Sequence, residues 1–584
     1  MEVMIFLIVL VAFLIAFYVK GALDERKKKQ RFREELREHY GQPKTHADNP
    51  ERYQNLGKYY EKHKKGYYVD DITWNDLSMD QIYHRVNYMH SACGEEYLYY
   101  RLRCPEQIYG QEALSAREEE LVRHLQENEK ERIELQLQFA QIGYTGKYSL
   151  YQYLEFLENL GERNNKKHYA ALAAYLVSAG IAAFAPSIGI TAAIAVMIFQ
   201  IFSYLKERGE NEPYLVSFSF ILRFIAGAQN TLQKAGSRND GKEQNAIQEY
   251  LAGMEESIKE LHPVTRHSMF IRHENMSQGD PLSIVTDYFK MITHVNLIEF
   301  NQMLLAVRAS KEALDKLYTR MGYLEYLLCV GEYRRSLPWY CIPEFDEHAG
   351  ISCDKLYHPL IDHAVACSFS EDRGVLVTGS NASGKSTFLK SVAVNAILSQ
   401  SMHTAMAENM RLAHFRIYSS MALRDDLDSG ESYYMVEIRA LKRIIDAIGA
   451  TVQNGENTES APALAENNRI LCFVDEVLRG TNTVERIAAS TQIMKYFCDR
   501  KVFCFAATHD IELTHLLQNE YHNFHFEEDV TDGDIHFNYE LREGRATTRN
   551  AIRLLEIMGY EKRIVDEAQN MAAEFVKTGQ WRNA

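Results

Sequence analysis

The sequence predicts an α/β domain with a largely parallel sheet, joined to an α-helical region that carries apolar, membrane-competent segments. Three observations predict it. Short apolar strand patterns ending in polar residues lie at 374–378, 469–476 and 502–510, alternating with helical periodicity. Upstream, apolar residues recur among charges at helical intervals over 79–102, 112–137 and 213–335. Two tracts, 3–19 and 169–204, contain no charged residue.

At 584 residues the chain has material for about four structural units. With 46% hydrophobic and 25% charged residues it is neither wholly disordered nor collagenous. Its 65 basic and 80 acidic side chains give a net charge of −15, which excludes a uniformly cationic nucleic-acid binder but leaves room for a local basic groove. The nine cysteines form no CxxC pair, so they read as reduced, structural thiols of an intracellular protein.

Residues 1–20 read as a transmembrane anchor, since 3–19 form about 26 Å of apolar helix. Arg26, Lys27, Lys28, Lys29, Arg31 and Arg33 follow directly, which places the rest of the chain in the cytoplasm. A cleaved signal peptide fits less well, because its positive charge precedes the apolar run. Residues 21–65 form a polar juxtamembrane region, and 66–167 the first part of a helical core. The tract within 168–205 is 36 residues from Tyr169 to Tyr204, broken at Pro186 and Gly189, and reads as a transmembrane or re-entrant hairpin. Lys166, Lys167, Lys206 and Arg208 flank it, so both ends are expected in the cytoplasm. One tilted span and a buried soluble hairpin are the alternatives. Residues 206–343 form a second helical part and 344–584 the α/β domain.

The chemistry concentrates in that last region. The strand VLVT leads into Gly379, Ser380, Asn381, Ala382, Ser383, Gly384, Lys385, Ser386 and Thr387, with a helical pattern behind them. This GxxxxGK[ST] loop turns backbone donors toward phosphates, Lys385 neutralises the terminal phosphates and Ser386 offers a hydroxyl to Mg²⁺. It predicts binding of ATP with Mg²⁺. Ninety residues on, the strand RILCFVDE ends in Asp475, suited to the metal, and Glu476, suited to orienting a water. A third strand ends in Thr508 and His509, a candidate sensor of the terminal phosphate. Lone tyrosine runs, GKYYE at 57–61 and YLYYR at 97–101, read as packing rather than base-stacking platforms.

Together, TGSNASGKSTF at 378–388, DDLDSGESYYMVEI at 425–438, FVDEVLRGTNT at 473–483 and ATHDIELT at 507–514 closely resemble the MutS family, the mismatch-repair branch of ABC-type ATPases. Tyr357-His358-Pro359 resembles the segment that lies near the nucleotide base there, and 532–560 the terminal strand pair and dimerising helices. The resemblance implies a homodimer with ATP between two subunits, Ser432 reaching the terminal phosphate across the interface, and Asp475, Glu476 and His509 acting as metal-associated acid, water-orienting acid and switch histidine. It also implies that Arg479, Gly480 and Thr481 communicate across the dimer. The loop departs from the family in reading NASGK, Glu431 stands where a basic residue is usual, and Tyr433-Tyr434 replaces Thr-Phe. More weakly, 72–108 and 206–340 look like the family's helical core and lever, while its mismatch-reading domain is not visible.

The reading is therefore a membrane-anchored, Mg²⁺-dependent ATPase of the cell membrane, with its helical core and ATPase domain in the cytoplasm. Coupling to DNA binding or repair is the inherited expectation, without an expected mismatch preference. The alternative is a regulatory ATPase acting on a protein partner. A transporter motor and an ATP-binding scaffold rank behind these.

Overall fold

The computed structural model describes residues 2–43, 53–105, 112–236, 245–266, 268, 281–346, 350–380, 383–421, 433–456, 469–479, 481–531, 534–546 and 551–578. Contacts divide the chain into two compact units. One joins Met1–His63, Asn87–Tyr100 and Gln111–Ser336; the other joins Lys64–Val86, Arg101–Gly110 and Leu337–Ala584.

In its described residues the first unit is helical. Its N-terminal helix, Glu2–Glu38, is fixed to the Glu129–Ile142 helix by Arg33–Glu134 at 2.7 Å and Arg37–Glu129 at 2.6 Å. These pairs are partly exposed, so they set orientation more than stability. The longest helix, Pro186–Gly236, changes character along its 51 residues. Ile194, Ile198, Phe199 and Phe202 in its first half are exposed, whereas Phe218, Ile221 and Phe224 in its second half are buried in the unit's core. Lys166–Phe184 runs back along that first half as the other arm of a hairpin. The turn follows from Pro186, which begins a helix without needing a donor, and from Gly189, where a Cβ would come within 2.2 Å of the Ala182 nitrogen. Ala185 N–H donates to the Ile181 carbonyl at 2.8 Å and Gly189 N–H to the Ala185 carbonyl at 3.0 Å, so the turn satisfies its own backbone.

Of the several membrane segments expected, the described residues show one membrane-competent helix. Among the described residues a single helix, Pro186–Lys234, is long and apolar enough to cross a membrane, with a mean hydropathy of 2.0 over its best window. Only 17% of that window is buried, unlike the core helix of a soluble protein. The companion arm, Lys166–Phe184, does not qualify by itself, because its apolar stretch is short and opens on Lys166, Lys167 and His168. Residues 3–19 lie within the first helix, but their side chains up to Tyr18 lie outside the described residues.

The tyrosine runs are packing elements. Tyr59 is 1% exposed, its hydroxyl bonds Thr319 at 3.0 Å, and its ring contacts those of Tyr97, Tyr100, Tyr151 and Tyr318. A ring so enclosed cannot stack on a base.

The second unit contains two sheets. Strands β1 (Glu344–Phe345), β2 (Ile351–Leu356), β3 (Cys367–Glu371) and β5 (Asn409–Leu412) form one, in the order β1-β5-β2-β3. The other takes β4 (Gly374–Thr378), β6 (Arg416–Ser420), β7 (Ile470–Asp475), β8 (Phe503–Ala507), β9 (Tyr521–Thr531) and β10 (Asp534–Glu543), in the order β10-β9-β4-β8-β7-β6. Every neighbour pair in it is parallel except β9 with β10. Its inner strands β4, β7 and β8 are buried apolar runs, as strands covered on both faces require.

Residues 64–86 and 101–110 group with this α/β unit rather than with the helices that adjoin them in sequence. For 64–86 the reason is the β6 edge. Tyr67 Oη donates to the Ile417 carbonyl at 2.6 Å, Ser419 N–H donates to Thr73 Oγ1 at 3.1 Å, and Ser419 Oγ donates to Asp76 Oδ2 at 2.6 Å. The segment occupies backbone groups that an open edge would leave exposed. All nine cysteines are free.

Candidate functional site

The parallel register brings three strand ends together. Val377, Ala507 and Asp475 form one row across β4, β8 and β7, so the residues that follow them converge on one edge of the sheet. Thr508 N–H donates to the Val377 carbonyl at 3.0 Å, and Glu476 N–H to the Ala507 carbonyl at 2.9 Å, extending the ladder into the site.

After β4 the chain turns at Gly379 (φ 149°) and Gly384 (φ 106°), backbone conformations that favour glycine. The Lys385–Met402 helix then begins. Lys385 is 6% exposed, and its Nζ donates to the carbonyls of Gly379 at 2.9 Å and Ser380 at 2.7 Å. The ammonium thus sits inside its own loop. Ser386 Oγ donates to Asp475 Oδ2 at 2.5 Å. Burial raises the Asp475 pKa, with the Ser386 hydrogen bond opposing.

Glu476 stands at φ 58° and both its carboxylate oxygens have partners: His509 Nε2 at 2.9 Å and Arg479 Nε at 2.7 Å. The His509 hydrogen bond holds its pKa below the usual carboxylate range, against the effect of burial. Asp510, next to His509, is gripped by Arg486 through contacts of 2.8 and 2.5 Å.

These groups border a cavity of about 590 Å³, whose lining includes Ser383 to Thr387, Asp475, Glu476, His358, the Ile361–Val365 segment, Phe526 and Tyr539. His358 is buried, its Nδ1 accepts from the Leu360 amide at 3.2 Å, and burial pushes its pKa down to about 4. His509 touches the cavity only through Glu476. Asn381, Ala382, Ser432 and Gly480 lie outside the described residues.

Sequence reasoning missed Tyr539 and Glu437. Tyr539 reaches the cavity because the β9/β10 register shifts between Phe537 and Leu541 and its own φ is 55°, which no alternation pattern signals. Glu437 accepts the Arg479 amide at 3.0 Å from a helix far off in sequence.

A parallel sheet whose strand ends present a glycine-bounded loop, a lysine and adjacent acids is an ATPase-like architecture. Residues 375–576 match the family model of MutS domain V. Over 235 residues the chain is 30% identical to the DNA mismatch repair protein MutS of Thermus thermophilus, covering 39% of this chain and 26% of that protein. It is 28% identical over 276 residues to MutS of Natronomonas pharaonis (45% and 30% covered) and 27% identical over 286 residues to MutS of Lactobacillus delbrueckii (47% and 31% covered). In this region the chain is a divergent, low-identity homologue of MutS proteins. It spans about a quarter to a third of the length of these curated relatives.

Proposed function

We propose that the protein is a membrane-attached, MutS-like ATPase. The observation that carries the reading is the convergence of Lys385, Ser386, Asp475 and Glu476 on one cavity at the ends of parallel strands. ATP is the substrate. Lys385 would exchange the loop carbonyls of Gly379 and Ser380 for phosphate oxygens, which return more favourable charge–charge contacts. The hydroxyl of Ser386 and the half-buried carboxylate of Asp475 are a hard oxygen donor set that fits Mg²⁺. A bound Mg²⁺ would supply neutralisation of phosphate charge. Glu476 would orient the attacking water, and His509, bonded to it, would report the terminal phosphate. His358 and Tyr539 also line the cavity, and His358 would lie near the base.

Membrane attachment is supported by the hairpin, on which Leu176, Val177, Phe184, Ile188, Phe199 and Phe202 are all exposed. The Lys166, Lys167, Lys206 and Arg208 flanks would hold both its ends on the cytoplasmic side. The protein would act as a homodimer in which Ser432 of one subunit completes the other's site. Defined heterodimers test this: pairing a Lys385→Ala subunit with a Ser432→Ala subunit leaves one composite site free of both lesions. Hydrolysis regained over both mutant homodimers supports the shared site, and no recovery in folded, paired heterodimers rejects it.

Two outputs compete. The relatives' names state DNA mismatch repair, which favours DNA as the object moved. The apolar hairpin and the net charge of −15 favour a membrane-bound protein partner. Turnover stimulated by matched, mismatched, branched or single-stranded DNA, weakening with salt, supports the first. Nucleotide-dependent association with one membrane protein, without any response to DNA, supports the second.

A further inference from the structure

The turn that carries Glu476 is held in an uncommon conformation from three directions. Glu476 and Leu478 both have φ 58°, a region that branched and bulky residues seldom adopt and that persists only where the surroundings over-determine it. Glu476 N–H is tied to the Ala507 carbonyl of β8 at 2.9 Å, and the Val477 carbonyl accepts from Ser490 Oγ of the Thr483–Asp499 helix at 3.1 Å. Leu478 is buried in the same apolar cluster as Leu441 and Ile444. The third tie is Arg479 N–H, which donates at 3.0 Å to Oε1 of Glu437, a side chain 2% exposed on the Tyr433–Glu456 helix.

The consequence runs through Arg479. Its amide is fixed by Glu437 while its guanidinium meets Glu476 Oε2 at 2.7 Å, and the other oxygen of Glu476 meets His509. Glu437 is one helical turn from the start of its helix, directly after the segment that contains Ser432. A shift of that helix start is therefore transmitted to the Arg479 amide and from there to the carboxylate facing the cavity.

We propose that Glu437 is a positioning residue: by holding the Arg479 amide it fixes the turn in which Glu476 is aimed, and it ties that aim to the Tyr433–Glu456 helix. Its catalytic consequence rests on the ATPase reading above; its grip on the loop does not. Glu437 is not among the residues that line the cavity. What it contributes is an acceptor, which a glutamine supplies equally well.

The test compares full-length wild type, Glu437→Ala and Glu437→Gln by amide hydrogen exchange over 474–482 and by steady-state hydrolysis of Mg-ATP. Glu437→Ala should exchange faster around Arg479 and lose about tenfold in kcat with KM for ATP nearly unchanged, since aim rather than binding is lost. Glu437→Gln should restore both. Exchange and kcat unchanged in Glu437→Ala would overturn the proposal, as would a Glu437→Gln protein as impaired as Glu437→Ala. If wild type hydrolyses no ATP while exchange still follows the acceptor, the ATPase reading fails and the catalytic consequence with it, but the hold on the loop stands.

Discussion

Ser386 Oγ donates to Asp475 Oδ2 across 2.5 Å, joining the first turn after the glycine loop to the end of β7. Asp475 is half-buried and desolvation raises its pKa, so ionising it costs the nucleotide-free fold. That cost is absent at low pH and is incurred as pH rises through the raised pKa. Asp475→Asn keeps an acceptor for Ser386 without the charge, so the nucleotide-free protein should melt roughly 1–2 °C higher, the equivalent of about 1 kcal/mol. Thermal unfolding with and without Mg-ATP checks this. The substituted protein should also lose the stabilisation that Mg-ATP gives wild type.

His358 predicts a pH dependence of the opposite sign. Burial holds its pKa at about 4 against an ordinary 6.5, so on acidification the unfolded chain takes up the proton first. Its contribution to stability is complete above pH 6.5 and is lost as pH falls toward 4. His358→Gln should flatten this acid limb in denaturant titrations. His414, also held at about 4 by burial, should leave part of it in place. Identical limbs in wild type and His358→Gln would contradict the assignment.

The hairpin makes a topological prediction. Reporters after Lys29 and after Glu212 should both read cytoplasmic, and one near Ser187 should read external or membrane-protected. An external reading after Glu212 in a functional fusion would reject the hairpin. Gly189→Val should splay the arms, because the added Cβ meets the Ala182 backbone at 2.2 and 2.4 Å. The expected loss is about 1–3 kcal/mol, read by unfolding in a membrane mimic.

The site was legible in the sequence wherever chemistry is written locally. Gly379, Lys385, Asp475, Glu476 and His509 each stand at or after the end of a short apolar strand, and the parallel register brings those strand ends to one edge. The break at Pro186 and Gly189 was legible for a similar reason, since both residues act on their own backbone. What stayed hidden depends on distant partners or on backbone irregularity. Tyr539 reaches the cavity through a bulge, and Glu437 through one hydrogen bond to a residue 42 positions away. Residues 66–86 read as part of a helical core, yet Tyr67, Thr73 and Asp76 bond the edge strand β6 more than 340 positions later. No periodicity encodes such a contact.

The proposed ATP hydrolysis in this cavity assigns phosphate neutralisation to Lys385 and water orientation to Glu476. The most direct test is single-turnover cleavage of ATP, with binding measured in parallel, for wild type, Lys385→Ala and Glu476→Gln. Wild type should cleave. Lys385→Ala should bind nucleotide weakly, and Glu476→Gln should keep most of the binding while cleaving at least about a hundredfold more slowly. Cleavage by Glu476→Gln at the wild-type rate, in a preparation free of contaminating ATPase, would contradict the account.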